Sequence, residues 1–161
     1  LTSQIELQPE HQPQLQRQQQ ALEDYARAFA GLTPDGVEAL CLKVSNDVYF
    51  RDPFNDLHGR DALRHLLVDM FERAGRPAFS VDEISWHSGI EAGWLRWHFS
   101  AQLPVIGQLD VSGCSRVSVN TEGLITEHID YWDSAPIYLK LPLIGALLRR
   151  VRQRISVNKE G

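Results

Sequence analysis

Asp52 is a carboxylate set among aromatic residues. In Val48-Tyr49-Phe50-Arg51-Asp52-Pro53-Phe54 a β-branched and aromatic run turns at an Asp-Pro corner, and Gly59 then releases the chain into a helix. Phe50 and Phe54 would wall such a carboxylate, and desolvation by apolar walls raises its pKa and suits it to proton transfer. The competing reading is structural: Asp52 caps the turn at Pro53. A second set of polar residues alternates along two strand-like segments. In 124–132, His128, Asp130 and Trp132 share one face, while Ile129 and Tyr131 share the other. In 92–103, Arg96, His98 and Ser100 share a face, and Leu95, Trp97 and Phe99 share the opposite one. A period of two fixes these sets but leaves open which face of 92–103 joins His128 and Asp130.

The elements that must position these groups follow from periodicity. Residues 21–31 place Leu22, Tyr25, Ala26 and Phe29 on one helical face, and Gly31 stops that helix. Thr33-Pro34-Asp35 restarts the chain, with Val37, Leu40, Cys41 and Val44 as the next buried stripe. A third helix runs from 59 to 73 on Leu63, Leu66, Leu67, Met70 and Phe71. The period then changes to two, predicting strands at 78–87, 92–103, 108–119 and 124–132, with turn signals at Ser88-Gly89 and Asn120-Thr121-Glu122-Gly123. Three helices followed by consecutive antiparallel strands make an α+β plan, with helices wrapped on a curved sheet.

The chain of 161 residues is 43% hydrophobic and 23% charged, the composition of one globular domain. Residues 1–20 are glutamine-rich and are expected to form a mobile arm. Cys41 and Cys114 match no zinc or redox spacing and are expected as reduced thiols. No trio of His, Asp or Glu has metal-ligand spacing, so no metal is expected. His58 and His65 are assigned to solvent; Trp86, Trp94 and Trp97 to core or interface; Trp132 to a pocket wall. No signal peptide or apolar run of membrane-spanning length is present, and a cytoplasmic protein is expected.

Charge is unevenly distributed. The net charge is −5, yet Lys140, Arg149, Arg150, Arg152, Arg154 and Lys159 face one acid, Glu160, at the C-terminal end. The acidic body argues against a nucleic-acid partner. Residues 136–161 are read as an amphipathic basic helix and tail. Residues 136–154 are expected to close or flank the pocket mouth and bury Ile144, Leu147, Leu148 and Val151. Peripheral contact with a membrane surface is the alternative for this segment.

The residues also carry a family resemblance. "VEALCLKVSNDVYFRDPF", the "HGR" that opens the next helix, and "DYW" at the end of the last strand resemble the nuclear transport factor 2-like superfamily over about 21–135. The best local matches are its ketosteroid-isomerase-like, SnoaL-like and limonene-epoxide-hydrolase-like branches. The resemblance implies a cone-shaped curved sheet. It places Asp52 on the isomerase base, Tyr25 on the tyrosine of the isomerase oxyanion hole, and Ser115 where that hole has an aspartate. "LRWHFSAQLP" and "DYWD" resemble the hydrolase strands, matching Arg96 and Asp130 and replacing the second carboxylate by His98. This second alignment favours the polar face of 92–103 as the pocket face.

The resulting expectation is an enzyme without cofactor that performs proton transfer on a hydrophobic, oxygenated small molecule, as an isomerase, cyclase or lyase. Asp52, Asp130, Arg96 and His98 are the catalytic candidates; Tyr25, Phe54, Ser115, His128 and Trp132 would bind substrate. Arg96 and Asp130 are expected to touch inside the cone. The alternatives are epoxide hydrolysis by Asp130, Arg96 and His98, and a non-catalytic ligand- or lipid-binding module. A homodimer is expected through an outer sheet face bearing Trp97 and Phe99.

Overall fold

The computed structural model describes residues 12–141 and 144–155. Helix α1 (Gln12–Ala30) is followed by a 3-10 turn and the short α2 (Val37–Cys41). Strands β1 (Val44–Arg51) and β2 (Asp56–His58) lead to α3 (Arg60–Arg73). Then come β3 (Gly75–His87), β4 (Ala92–Leu103), β5 (Gly107–Val119) and β6 (Ile125–Trp132), and finally α4 (Ala135–Lys140) and α5 (Ile144–Ile155). The six strands form one sheet in the order β2-β1-β6-β5-β4-β3. Strands β3 to β6 are joined by antiparallel pairings, whereas β1 pairs with β6 in parallel. The fold is α+β: a curved sheet whose concave face is packed by helices.

Burial explains the layering. Leu22, Tyr25, Ala26 and Phe29 of α1, Leu40 and Cys41 of α2, and Leu63 and Leu67 of α3 are buried in one core with Val44, Val48, Leu95, Val117 and Ile125 of the sheet. Each fully buried large apolar side chain contributes about 1.5–3 kcal/mol. Gly59 makes the corner from β2 into α3 at a φ of +94°, where a side chain would be strained. Its N–H donates to the Val48 carbonyl at 2.8 Å, tying the helix start to β1.

Three expectations change here. Residues 12–20, expected in the arm, belong to α1; residues 1–11 lie outside the described residues. Gln18 is buried, and its side-chain amide donates to the Val119 carbonyl at 2.9 Å, which anchors this glutamine-rich turn to the sheet. Val44, expected on the α2 stripe, is the first residue of β1. The C-terminal segment, expected to bury Ile144, Leu147, Leu148 and Val151, forms two helices, α4 and α5, and leaves Ile144, Leu147 and Val151 exposed. Leu141 is extended, as a residue before proline must be (φ −69°, ψ 135°).

Candidate functional site

Alternation on β6 points His128, Asp130 and Trp132 at the concave side, while register sets their neighbours. Ser115 lies opposite Asp130, Gly113 opposite Trp132, and Val117 opposite His128. On the next strand Leu95, Trp97 and Phe99 lie opposite Ser115, Gly113 and Val111. The helices do not fill this concavity. A cavity of about 500 Å³ remains, lined by Phe50, Phe79, Trp97, Phe99 and Leu109 on the sheet and by Leu66 and Met70 of α3. That size is within the range of about 300–1,000 Å³ found for small-molecule sites. Ser115, His128 and Asp130 bring polar atoms to the otherwise largely apolar inner wall.

These polar groups form one hydrogen-bonded chain. The Tyr25 hydroxyl is 2.9 Å from His128 Nδ1, and His128 Nε2 is 2.8 Å from Asp130 Oδ1. The Ser115 hydroxyl donates to the same Asp130 Oδ1 at 2.5 Å, and Trp97 Nε1 donates to Ser115 Oγ at 2.7 Å. The chemistry of the ends fixes the directions. An indole N–H only donates, so Ser115 must turn its own proton to Asp130. Tyr25 is fully buried; burial and the neighbouring Asp130 charge push its phenol well above its ordinary value. Tyr25 therefore stays protonated and donates to Nδ1, which leaves the His128 proton on Nε2, facing Asp130. Both hydrogen bonds to Asp130 end on Oδ1, and Oδ2 has no hydrogen-bond partner among the described residues.

Aromatic rings hold the histidine. Phe29 and Phe50 lie with their centroids 5.3 Å from His128, and Tyr25 lies at 5.6 Å. Near the Asp52 corner Phe54 packs on Trp132 at 5.6 Å and on Tyr138 of α4 at 6.0 Å, while Ile137 of α4 lines the cavity.

A SnoaL-like domain model matches residues 22–128, more than half of the chain. The chain belongs to the SnoaL-like domain family. No curated protein matches it at a significant level. Solved structures of similar fold include an epoxide hydrolase of the LEH-like type from Mycobacterium tuberculosis (19% identity, TM-score 0.60, covering 86% of this chain and 97% of that one). A second is SalBIII, an epoxide hydrolase/cyclase-like enzyme of pyran ring formation in the polyether salinomycin (14%, 0.62, 75% and 94%). A third is RV0760c from Mycobacterium tuberculosis in complex with estradiol-17beta-hemisuccinate (19%, 0.59, 73% and 95%). At these identities the likeness establishes the NTF2-like fold.

Within this SnoaL-like cone the candidate residues separate. Asp130, Ser115, His128, Trp132, Phe54 and Asp52 all line the cavity. Tyr25 lies behind His128 and reaches the cavity only through it. Asp52 accepts from the backbone N–H groups of Phe54 and Asn55, both at 2.7 Å, and from the Asn55 side chain at 2.9 and 3.0 Å. It caps its turn at the cavity rim.

The expected contact between Arg96 and Asp130 does not form. Arg96 is on the convex face, where it pairs with Glu83 at 2.8 Å. His98 is also convex, 3.3 Å from Asp110 and from Ser112. The aromatic face of β4 took the interior because burying Leu95, Trp97 and Phe99 is favourable, whereas burying Arg96 and His98 would strip two ionisable groups of water. The same reversal removes Trp97 and Phe99 from the outer face on which a homodimer was expected. Trp94 and Tyr131 are exposed there instead, with centroids 5.9 Å apart.

Trp97 is the site residue that sequence reasoning assigned only to core or interface. One signal pointed to it: Gly113, two residues before Ser115, leaves room on the sheet for a large ring across the strand. Cys41 is buried, Cys114 is partly exposed, and both are free. Among the described residues no three His, Cys, Asp or Glu come together as a metal-ligand set.

Proposed function

We propose that this protein is a cofactor-independent enzyme that moves a proton on a hydrophobic, oxygenated small molecule, with Asp130 as the base. One observation carries the reading. Asp130 is held by Ser115 and His128 through Oδ1, while Oδ2 has no hydrogen-bond partner among the described residues and stands on the wall of a largely apolar cavity.

The chemistry follows from that geometry. A substrate whose apolar body fills the cavity presents a C–H bond beside a carbonyl to Oδ2. Asp130 takes the proton, and the C–H electron pair enters the carbonyl as an enolate. Where the substrate has a β,γ double bond, the enolate is a dienolate, and return of the proton to the γ carbon moves the double bond to α,β and isomerises the substrate; attack of the enolate on a second carbonyl of the same molecule cyclises it. His128 and Ser115 fix the carboxylate, and Tyr25 and Trp97 fix those two in turn. Arg73 of α3 stands largely exposed at the edge of the cavity and gives one N–H to Asp69 at 3.2 Å; its remaining N–H groups are the donors this reading offers to a substrate oxygen. The ligand of RV0760c, a steroid ester, belongs to the substrate class the cavity suits. Water activation at an epoxide is less supported, because Arg96 and His98 are on the other face of the sheet.

The test is hydrogen exchange. Apolar ketones that quench the tryptophans are incubated in deuterated water, and deuterium entry beside the carbonyl is followed by NMR. Exchange by the wild type, lost in Asp130→Asn with ligand binding retained, supports the reading. Exchange that persists in Asp130→Asn removes Asp130 as the base. Tight binding with no exchange of any ketone makes the cone a binding module.

A further inference from the structure

Helix α5 carries an apolar stripe that points away from the protein. Ile144, Leu147, Val151 and Ile155 recur at helical spacing, and each is 45% to 77% exposed. The stripe is not a core face that has lost its partner, because the helix is seated by its other side. Gly145 is its buried residue, so close to the Leu139 carbonyl that a Cβ would collide with it. Arg149 donates to that carbonyl at 2.6 Å, and the Gly145 N–H donates to Leu141 at 2.9 Å. These contacts hold α5 on α4 and leave the stripe outward.

We propose that this face docks on an anionic lipid surface. Charge selects the occupant. From Ser134 to Ile155 the sequence has Lys140, Arg149, Arg150, Arg152 and Arg154 and no acid, although the rest of the chain is acidic. On a helical wheel Arg154 borders the stripe on one side and Arg152 on the other. Long cationic side chains beside an apolar stripe suit an interface where the stripe enters the acyl boundary and the cations meet headgroups. A second copy of α5 packed on the stripe would bring arginines against arginines. A helix of this length rises only about 18 Å and lies in the interface plane rather than crossing it.

The position of α5 gives the docking a consequence. It continues from α4, whose Ile137 lines the cavity and whose Tyr138 touches Phe54. Lys140, at the end of α4, donates to the Gln108 carbonyl beside the β4–β5 hairpin, where Val105 is 83% exposed. Docking through α5 brings this end of the cone toward the bilayer, where a hydrophobic ligand is stored. That consequence rests on the proposed ligand site; the docking does not.

The experiment is vesicle flotation of the full chain. The probes are phosphatidylcholine vesicles with and without phosphatidylglycerol. The wild type floats with the anionic vesicles, stays behind with the neutral ones, and is released by high salt. Leu147→Glu with Val151→Glu abolishes flotation. Arg150→Gln with Arg154→Gln weakens it on the order of 25-fold, since each cation near an anionic leaflet is worth roughly fivefold. All four residues are exposed, and unchanged thermal melting confirms the fold of both variants. Absence of wild-type binding to anionic vesicles, equal binding to neutral ones, or full binding by either variant overturns the proposal. A wild type that ignores vesicles but whose dimer is split by Leu147→Glu with Val151→Glu gives the face to a second copy. Asp130→Asn leaves flotation unchanged, and the helix variants leave ketone binding in solution unchanged, so the two readings fail separately.

Discussion

Ser115 and Asp130 are directly opposed across β5 and β6, and the serine hydroxyl donates to Asp130 Oδ1 at 2.5 Å while accepting from Trp97 Nε1 at 2.7 Å. One hydroxyl thus couples the carboxylate to the aromatic wall. Ser115→Ala removes both bonds and leaves a buried indole N–H unpaired, at an expected cost of about 1–3 kcal/mol. Denaturant midpoints measure that cost. Ketone exchange in the same variant falls about tenfold, because the carboxylate loses one of its two anchors.

Tyr25 acts through His128 and is a positioning residue. Tyr25→Phe leaves His128 Nδ1 without its donor and is expected to cost about 1–3 kcal/mol. The pH dependence separates this from simple loss of packing. The folded phenol is held above its ordinary value by burial and by Asp130, so its contribution is complete below the unfolded value of about 10. Above that pH the unfolded chain releases its proton first, and stability falls as pH rises toward the folded pKa. Cys41, whose thiol burial also pushes up, adds a loss of the same sign from lower pH. The difference between wild type and Tyr25→Phe, measured by urea unfolding from pH 8 upward, is expected to widen below pH 10 not at all and to narrow above it.

The strands were legible because their period is short and their turns are marked: segments expected at 92–103 and 108–119 are observed as Ala92–Leu103 and Gly107–Val119. The face His128-Asp130-Trp132 was legible for the same reason. The partner face of β4 was not. Alternation sorts residues into two sets without saying which is inside, and the hydrolase-like match at Arg96 chose the wrong one. Hydrophobic burial decided it, through the room that Gly113 leaves for Trp97. The glutamines at 12–20 misled in another way. Composition predicts an arm, but one buried contact, Gln18 to Val119, holds helix where composition is neutral. The outward stripe of α5 was unreadable from its pattern, since amphipathicity gives a face and not its partner.

Arg96→Ala is expected to leave ketone binding and exchange within about twofold of wild type, because the guanidinium serves an exposed ion pair with Glu83. Steady-state rates measure this. A large loss of turnover with unchanged stability would return Arg96 to the chemistry and revive the hydrolase-like arrangement.

Gly113→Ala tests the packing that sets the cavity wall. A methyl group there would be 2.6 Å from Trp97 Cζ2 and 2.8 Å from Trp132 Cβ. The second contact is near the backbone and cannot yield easily, so Trp97 must turn. Turning it pulls Nε1 from Ser115 and pushes the ring into the cavity. Overpacking of this kind costs about 1–3 kcal/mol, and ketone affinity falls with it. Trp97→Phe alone removes the indole donor; in the Gly113→Ala background it also removes the clash. The two substitutions together are therefore expected to destabilise less than the sum of each alone. Calorimetric melting of the four proteins measures the coupling. Strict additivity would mean that the methyl group is accommodated by a shift of the strands, and that Gly113 does not hold Trp97 in place.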